Sequence, residues 1–383
     1  MERRVFDAIV LGVGSMGAPT CFQLASRGFS VLGIEQFDLA HDQGSQAGQS
    51  RIIRKAYFEH PDYVPLLEQA YRGWSVLEER TGTQFYFPTG LLYAGRPEGV
   101  LIQGVHTSAR QHSIAIEQLS IREAKKRYPA FGFPDQYEVL FEPNAGFVTP
   151  ERAVLAFAEE ALKEGAIIHT RERVQSWEKE GSHIVVHTDL GSYQCQHLVI
   201  TAGPWAGQLI PNMAEKLRVT RQVVAWALPE ASDNFALGSF PCWLIDDDAQ
   251  PGMLYGFPQL PAARFGGPLG LKLAHHFPGQ PTDPNKVNRQ VDETEEATLA
   301  EAAKRFLPFL GHRLQTVKTC LYTNTPDENF VIDLLPGYEG QVAIACGFSG
   351  HGFKFAPVMG EIMADLVQHG RSNLPISFLR MRD

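Results

Sequence analysis

The spacing Gly12-x-Gly14-x-x-Gly17, followed about 20 residues on by the acid Glu35, is suited to binding a dinucleotide. Gly12 would permit a tight turn. Gly14 would leave room for backbone to approach a pyrophosphate, and Gly17 would let a helix pack closely on a strand. The unpaired N–H groups at the start of that helix would face the phosphates. Glu35 would accept hydrogen bonds from the adenosine ribose. The motif serves NAD and FAD alike. Two other stretches offer backbone to a nucleotide: an apolar run ending in Thr201-Ala-Gly203, and the Gly-rich turn Gly347-Phe-Ser-Gly-His-Gly352.

Other groups carry charge or nucleophilic character. Arg51 and Arg54 flank two isoleucines after a Gly/Ser/Gln loop. On a strand, residues three apart face opposite ways; on a helical turn they could share a side. They read either as solvated surface charges or as a cofactor contact and a bidentate grip on a substrate carboxylate. Lys272 lies between leucines, and alternation puts Lys272, Ala274 and His276 on one face of a strand. That lysine either protects a sheet edge or faces a cavity with His276. His275 and His276 are adjacent, but no acidic ligand pattern accompanies them, so no metal site is expected. In Lys318-Thr-Cys320-Leu-Tyr322-Thr-Asn-Thr-Pro-Asp-Glu328 the cysteine, taken alone, reads as buried and inert, while Asp327 and Asp333 could cap turns.

These residues need elements to hold them. Residues 5–36 read as a strand-helix-strand unit and 61–80 as a helix. Residues 85–145 mix short strands and loops with one polar helix near 121–127. Thr149-Pro150-Glu151 opens a helix to about Lys163, with Thr149 as N-cap, Pro150 at the first position and an acid in the first turn. A short strand at 166–169 follows, then three alternating runs at 172–178, 182–188 and 191–200 that suggest a meander. Residues 217–315 read as a separate sheet with an acidic helix at 294–306. A buried strand at 341–346 and a helix at 356–369 close the chain. Nucleotide-binding signals therefore lie at both ends and in the middle. The expected fold is α/β in two domains: a Rossmann-like nucleotide domain (1–85, 146–216 and 316–383) interleaved with a substrate domain on a mostly antiparallel sheet (86–145 and 217–315).

Composition excludes several classes. The net charge is −9 and no dense basic stretch occurs, so nucleic acid is not an expected partner. No apolar run reaches the length of a membrane span, and Met1-Glu-Arg-Arg-Val-Phe-Asp7 enters the first strand without room for a signal peptide. The five cysteines are dispersed, which fits reduced thiols in the cytoplasm better than a disulfide framework.

Three segments together resemble the monomeric sarcosine oxidase family, which includes N-methyltryptophan and pipecolate oxidases. They are Ser50-Arg-Ile-Ile-Arg-Lys-Ala-Tyr57, Lys318-Thr-Cys-Leu-Tyr-Thr-x-Thr-x-Asp-Glu328 and Gly347-Phe-Ser-Gly-His-Gly-Phe-Lys-Phe355. The likeness runs nearly the whole chain in order. It implies FAD, attached through the sulfur of Cys320 to the 8α-methyl of the flavin. The implied cofactor-binding positions are Gly12, Gly14, Gly17, Glu35, Ser45, Arg51, Cys320, Gly347, Gly350, Gly352 and Lys354. Arg51 would lie by the flavin ring, and Lys272 would promote reaction of reduced flavin with oxygen by stabilising the developing negative charge. Arg54 and Lys354 would grip the substrate carboxylate. Tyr255, His276 and Tyr322 would line the substrate cavity, and Glu59 would lie on a mobile loop at its mouth. Ala47 stands where sarcosine oxidases carry histidine. The segment from Pro258 to Lys272, with Pro261, Ala262, Ala263 and Arg264, is longer than theirs and is expected beside the cavity.

The implied reaction is oxidation of a secondary amino acid such as sarcosine by molecular oxygen. It gives an imine that water hydrolyses to amino acid and aldehyde, with hydrogen peroxide as the other product. The enzyme would be a monomer. The alternatives are an oxidase of a bulkier or cyclic amino acid such as N-methyltryptophan or pipecolate, a flavin dehydrogenase with another electron acceptor, an NAD-linked dehydrogenase, and a flavoprotein kept as a binding module without turnover.

Overall fold

The computed structural model describes residues 5–230, 232–276 and 279–382. Met1–Arg4 and Asp383, which the expected nucleotide domain includes, lie outside them.

The first strand, Val5–Leu11, is apolar because it is covered on both faces, as parallel strands are. It pairs in parallel with Val31–Ile34 on one side and Ser192–Ile200 on the other. Val31–Ile34 continues to Ile167–His169, and Ser192–Ile200 to Val342–Cys346, both in parallel. The strand Ser192–Ile200 is shared: its first half also pairs antiparallel with His183–Thr188, and that strand with Val174–Glu180. This is the expected meander. The helices Gly17–Ser26, Val64–Thr81, Pro150–Lys163 and Ala356–His369 contribute to one core with the parallel strands.

A nine-stranded sheet forms the other half. Its pairings are antiparallel except for Cys242–Asp246 against Leu91–Gly95. The expected domain limit at 316 falls inside one of its strands. Leu310–Asn324 pairs along its length with Arg218–Pro229, so Cys320 and Tyr322 stand on the substrate-side sheet rather than on the nucleotide side. Continuous backbone pairing carries the strand across the limit. A small third sheet, Arg51–Ile53, Gly146–Val148 and Tyr86–Phe87, sits where the chain passes between the two halves.

Local chemistry accounts for several boundaries. Asp292 starts the acidic helix Glu293–Phe306, and Ser120 starts Ile121–Arg127, each with a reciprocal capping box. Thr149 is the N-cap of Pro150–Lys163 as expected, but its side chain makes no cap hydrogen bond. The longest helix that was not expected is Val100–His112. It carries β-branched residues and Gly104, which weaken local helix preference. Gly104 is required because a Cβ there would overlap the backbone of Phe58. Among the described residues, no helix is long and apolar enough to cross a membrane.

Candidate active site

A cavity of about 480 Å³ runs between the two halves and draws on residues from the first strand to Lys354. Every expected site residue lines it except Gly17. Gly17 works from beneath: a Cβ there would overlap the Gly12 carbonyl, so glycine lets the helix start directly against the turn. Gly12 itself has φ +86°, a backbone state that L side chains rarely adopt.

At the nucleotide end Glu35 is buried, and its carboxylate accepts from the backbone N–H of Val13 at 3.0 Å and of Phe37 at 3.1 Å. Burial pushes its pKa up to about 7, against the pull of those N–H groups. A Cβ on Gly14 would lie 2.8 Å from Gln46 Oε1, so the chain leaves this wall bare. Thr201 closes the turn by donating to the Gly12 carbonyl at 2.8 Å. A bare glycine turn, a helix N-terminus and a buried acid fit the phosphates and ribose of a dinucleotide. Ser45, Gly347, Gly350 and Gly352 line the same cavity further along.

The middle of the cavity is cationic. Arg51 opens its strand, and its guanidinium curls back to the carbonyls of Ser45 at 2.8 Å, Ala47 at 2.5 Å and Ser50 at 2.8 Å. At position 47 it is therefore the backbone that holds Arg51. Lys272 is buried, donates to Ser50 O at 2.6 Å and lies 4.7 Å from the Phe257 ring centroid. The cavity-facing reading of this lysine is the right one, since its strand runs inside the sheet between two neighbours. Burial, and then the charge of Arg51, lowers its pKa well below the usual lysine range, while Glu151 pulls the other way. Cys320 is a free, buried thiol in the same wall. Burial raises its pKa, and Arg51, Lys272 and Arg289 oppose that rise. Cations beside a thiol favour its reactive thiolate.

The far end is built to receive an anion. The strand that Arg51 opens ends at Ile53, just before Arg54, so the two do not share a helical turn. Arg54 is 3% exposed, and its Nη2 donates to both carboxylate oxygens of Glu59, at 2.6 and 2.7 Å. Burial would raise the Glu59 pKa, but Arg54, His351 and Lys354 hold it down at about 2. Burial and then Arg54 lower Lys354 to about 7, against Glu59. The adjoining wall is neutral. Tyr322 hydroxyl lies 3.2 Å from His276 Nδ1, and Tyr255 neighbours Tyr322. Burial pushes Tyr255 up to about 12 and His276 down to about 4.

The segment from Pro258 to Lys272 places no residue between 259 and 271 in the cavity lining. Its short helix Ala262–Phe265 packs outward, with Phe265 against Phe87 and Phe147, because these rings offer it an apolar seat. It meets the loop before Arg51 through Gln49, whose side chain donates to Gly266 O at 2.5 Å. Residues without a local signal also matter. Glu151 accepts from the backbone N–H groups of Gly48 at 2.6 Å and Gln49 at 3.0 Å, which fixes the loop below Arg51. Buried Glu142 does the same for Lys55 at 2.7 Å and Ala56 at 3.2 Å, beside Arg54. Among the described residues, no His, Cys, Asp and Glu cluster could hold a metal ion.

Comparison with known proteins decides the family. The profile of DAO, FAD dependent oxidoreductase, matches residues 7–366. The chain belongs to this family of FAD-dependent oxidoreductases. It is 37% identical to a protein named monomeric sarcosine oxidase from Streptomyces avermitilis, over 98% of this chain and 97% of that one. It is 32% identical to N-methyl-L-tryptophan oxidase from Yersinia pestis, over 97% of each chain. Among solved structures, NikD, described as an unusual amino acid oxidase essential for nikkomycin biosynthesis, superposes with a TM-score of 0.86 at 24% identity, covering 99% of this chain and 98% of that one. That likeness shows the fold. The cofactor is therefore FAD rather than NAD.

Proposed function

We propose that this FAD-dependent oxidoreductase oxidises a secondary, N-methyl amino acid of the sarcosine class with molecular oxygen. The observation that carries this reading is the pair of buried cations, Arg54 and Lys354, facing a neutral wall of Tyr255, Tyr322 and His276 at the end of the cofactor cavity. The names of the relatives at 37% and 32% identity support it.

When bound, FAD supplies the two-electron acceptor and passes the electrons on. The protein's part is to hold the substrate. Arg54 and Lys354 take the carboxylate, which fixes the N–CH bond in place. Two cations nearby disfavour a protonated amine. The amine therefore binds in its neutral form, and no strong base is required beside it. Lys272 and Arg51, in the middle of the cavity, would supply positive charge where oxygen reduction develops negative charge. The sulfur of Cys320 would hold the flavin covalently through its 8α-methyl, and the surrounding cations would favour the thiolate this bond needs. The enzyme works as a cytoplasmic monomer, a reading supported by the relatives' naming and by five cysteines that are all free.

A second substrate reading is favoured by one feature. Ile52, Phe58 and Leu244 line the cavity and pack in one apolar cluster beside Tyr255. That wall suits an amino acid with a bulkier or cyclic side chain, such as N-methyltryptophan or pipecolate. Anaerobic titration of the purified protein with sarcosine, N-methyltryptophan and pipecolate, followed by oxygen uptake, tests both readings. Bleaching by one amine, with oxygen consumed and peroxide formed, is expected. Bleaching without oxygen uptake would point to a dehydrogenase, and no bleaching by any secondary amino acid would overturn the proposal.

A further inference from the structure

We propose that Tyr57 is the positioning residue that sets the spacing of Arg54 and Lys354 for a single carboxylate. This rests on the carboxylate-binding role given to that pair above. The two cations come from opposite ends of the chain, and like charges do not settle side by side unaided. Tyr57 touches both. Its ring centroid lies 4.2 Å from the Arg54 guanidinium carbon and 5.2 Å from Lys354 Nζ, so one ring attracts two cations.

Tyr57 is held through both its backbone and its hydroxyl. Ser108, on the helix Val100–His112, donates to the Tyr57 carbonyl at 2.5 Å. The Tyr57 hydroxyl lies 2.5 Å from His351 Nδ1. His351 Nε2 lies 3.0 Å from the Glu328 carbonyl oxygen, which can only accept. The ring hydrogen is therefore on Nε2, Nδ1 is bare, and Tyr57 is the donor. The carbonyl of His351 in turn accepts from Lys354 Nζ at 2.5 Å and lies 3.4 Å from the Tyr57 hydroxyl. A continuous path thus runs from Arg54 through the Tyr57 ring and hydroxyl to His351 and Lys354. The whole ring is buried, at 0% exposure, so it serves this path rather than solvent.

The test uses the flavin-loaded enzyme with acetate as the carboxylate probe, titrated by calorimetry, and sarcosine kinetics alongside. Tyr57→Phe keeps the ring and loses the hydroxyl; His351→Ala removes its acceptor. Each should weaken acetate binding roughly 10-fold, and the double variant should be no weaker than either single one, because they cut the same path. Tyr57→Leu, which removes the π face too, should weaken it roughly 100-fold. The KM for sarcosine should rise more than kcat falls. A merely structural role would instead lower kcat and flavin content together with binding. Unchanged acetate affinity in Tyr57→Phe, or additive effects in the double variant, would overturn the proposal. If Tyr57→Phe does not fold, unchanged affinity in His351→Ala does so alone. Arg54→Ala is the control: if it too leaves acetate binding intact, the carboxylate-binding role itself fails.

Discussion

Arg51 and Lys272 donate to the same acceptor, the backbone oxygen of Ser50, at 2.8 and 2.6 Å. Two cations on one carbonyl hold each other at fixed distance and leave the lysine proton weakly held. Its charge is stabilised whenever negative charge forms beside it. Lys272→Met should therefore slow reoxidation of the reduced enzyme by oxygen by about 100-fold or more, the scale of removing one preorganised charge. Reduction by the amine should change far less. Stopped-flow measurement of the two half-reactions separates them, and equal losses in both would remove the oxygen role.

Cys320 should be the point of flavin attachment. Cys320→Ala should still load FAD, since the glycine turn and Glu35 are untouched, but acid precipitation should leave the yellow colour in the supernatant. A variant whose pellet stays yellow would place the bond elsewhere.

Glu59 competes for the seat on Arg54 that the substrate needs. Glu59→Gln should tighten acetate binding roughly 10-fold, about the value of one charge-assisted pair. The same pair makes stability depend on pH. The Glu59 pKa is held at about 2, below its usual 4.5, so its contribution is present above pH 4.5 and lost as pH falls toward 2. Acid unfolding of Glu59→Gln should lack that component, as urea titrations between pH 2 and 5 would reveal.

Lys354 predicts a second pH effect, of opposite sense. Its pKa lies at about 7 in the free protein. A bound carboxylate favours the ammonium and raises it. Acetate affinity should thus be highest below pH 7 and fall as pH rises through it, in a region where acetate itself does not titrate. The groups facing Lys354 are Arg54, Glu59, Tyr57 and His351, and none of them is expected to titrate near 7. Lys354→Met should flatten the profile; a slope that survives would assign it to another group.

The strand-turn-helix at the start of the chain, the meander and the capped helices were legible because their signals are local: glycine spacing, alternation and N-cap chemistry. The residues around Cys320 and the two arginines were legible as motifs. What escaped depends on distant contacts. The helix Val100–His112 has a weak local preference and is held by its seat on the loop at Phe58. Glu151 reads as an ordinary first-turn acid, yet it serves a loop about a hundred positions away. Tyr57 stood inside a recognisable motif, but its bond to His351 leaves no trace in spacing. The limit at 316 failed for the same reason: pairing with Arg218–Pro229 decides which half owns Cys320.

The strand Ser192–Ile200 lies between the first strand and Val342–Cys346, the last strand among the described residues. On a ribosome, then, the glycine turn is made early and waits. At typical synthesis rates, on the order of 10 s separate the emergence of the shared strand from that of its final neighbour. Throughout that interval the partly made chain carries an open sheet edge at Leu198–Ile200 and no Gly347–Gly352 turn or Lys354. The complete cavity is thus a feature of the finished chain, and a chain stopped before about residue 340 would present an adhesive edge in its place.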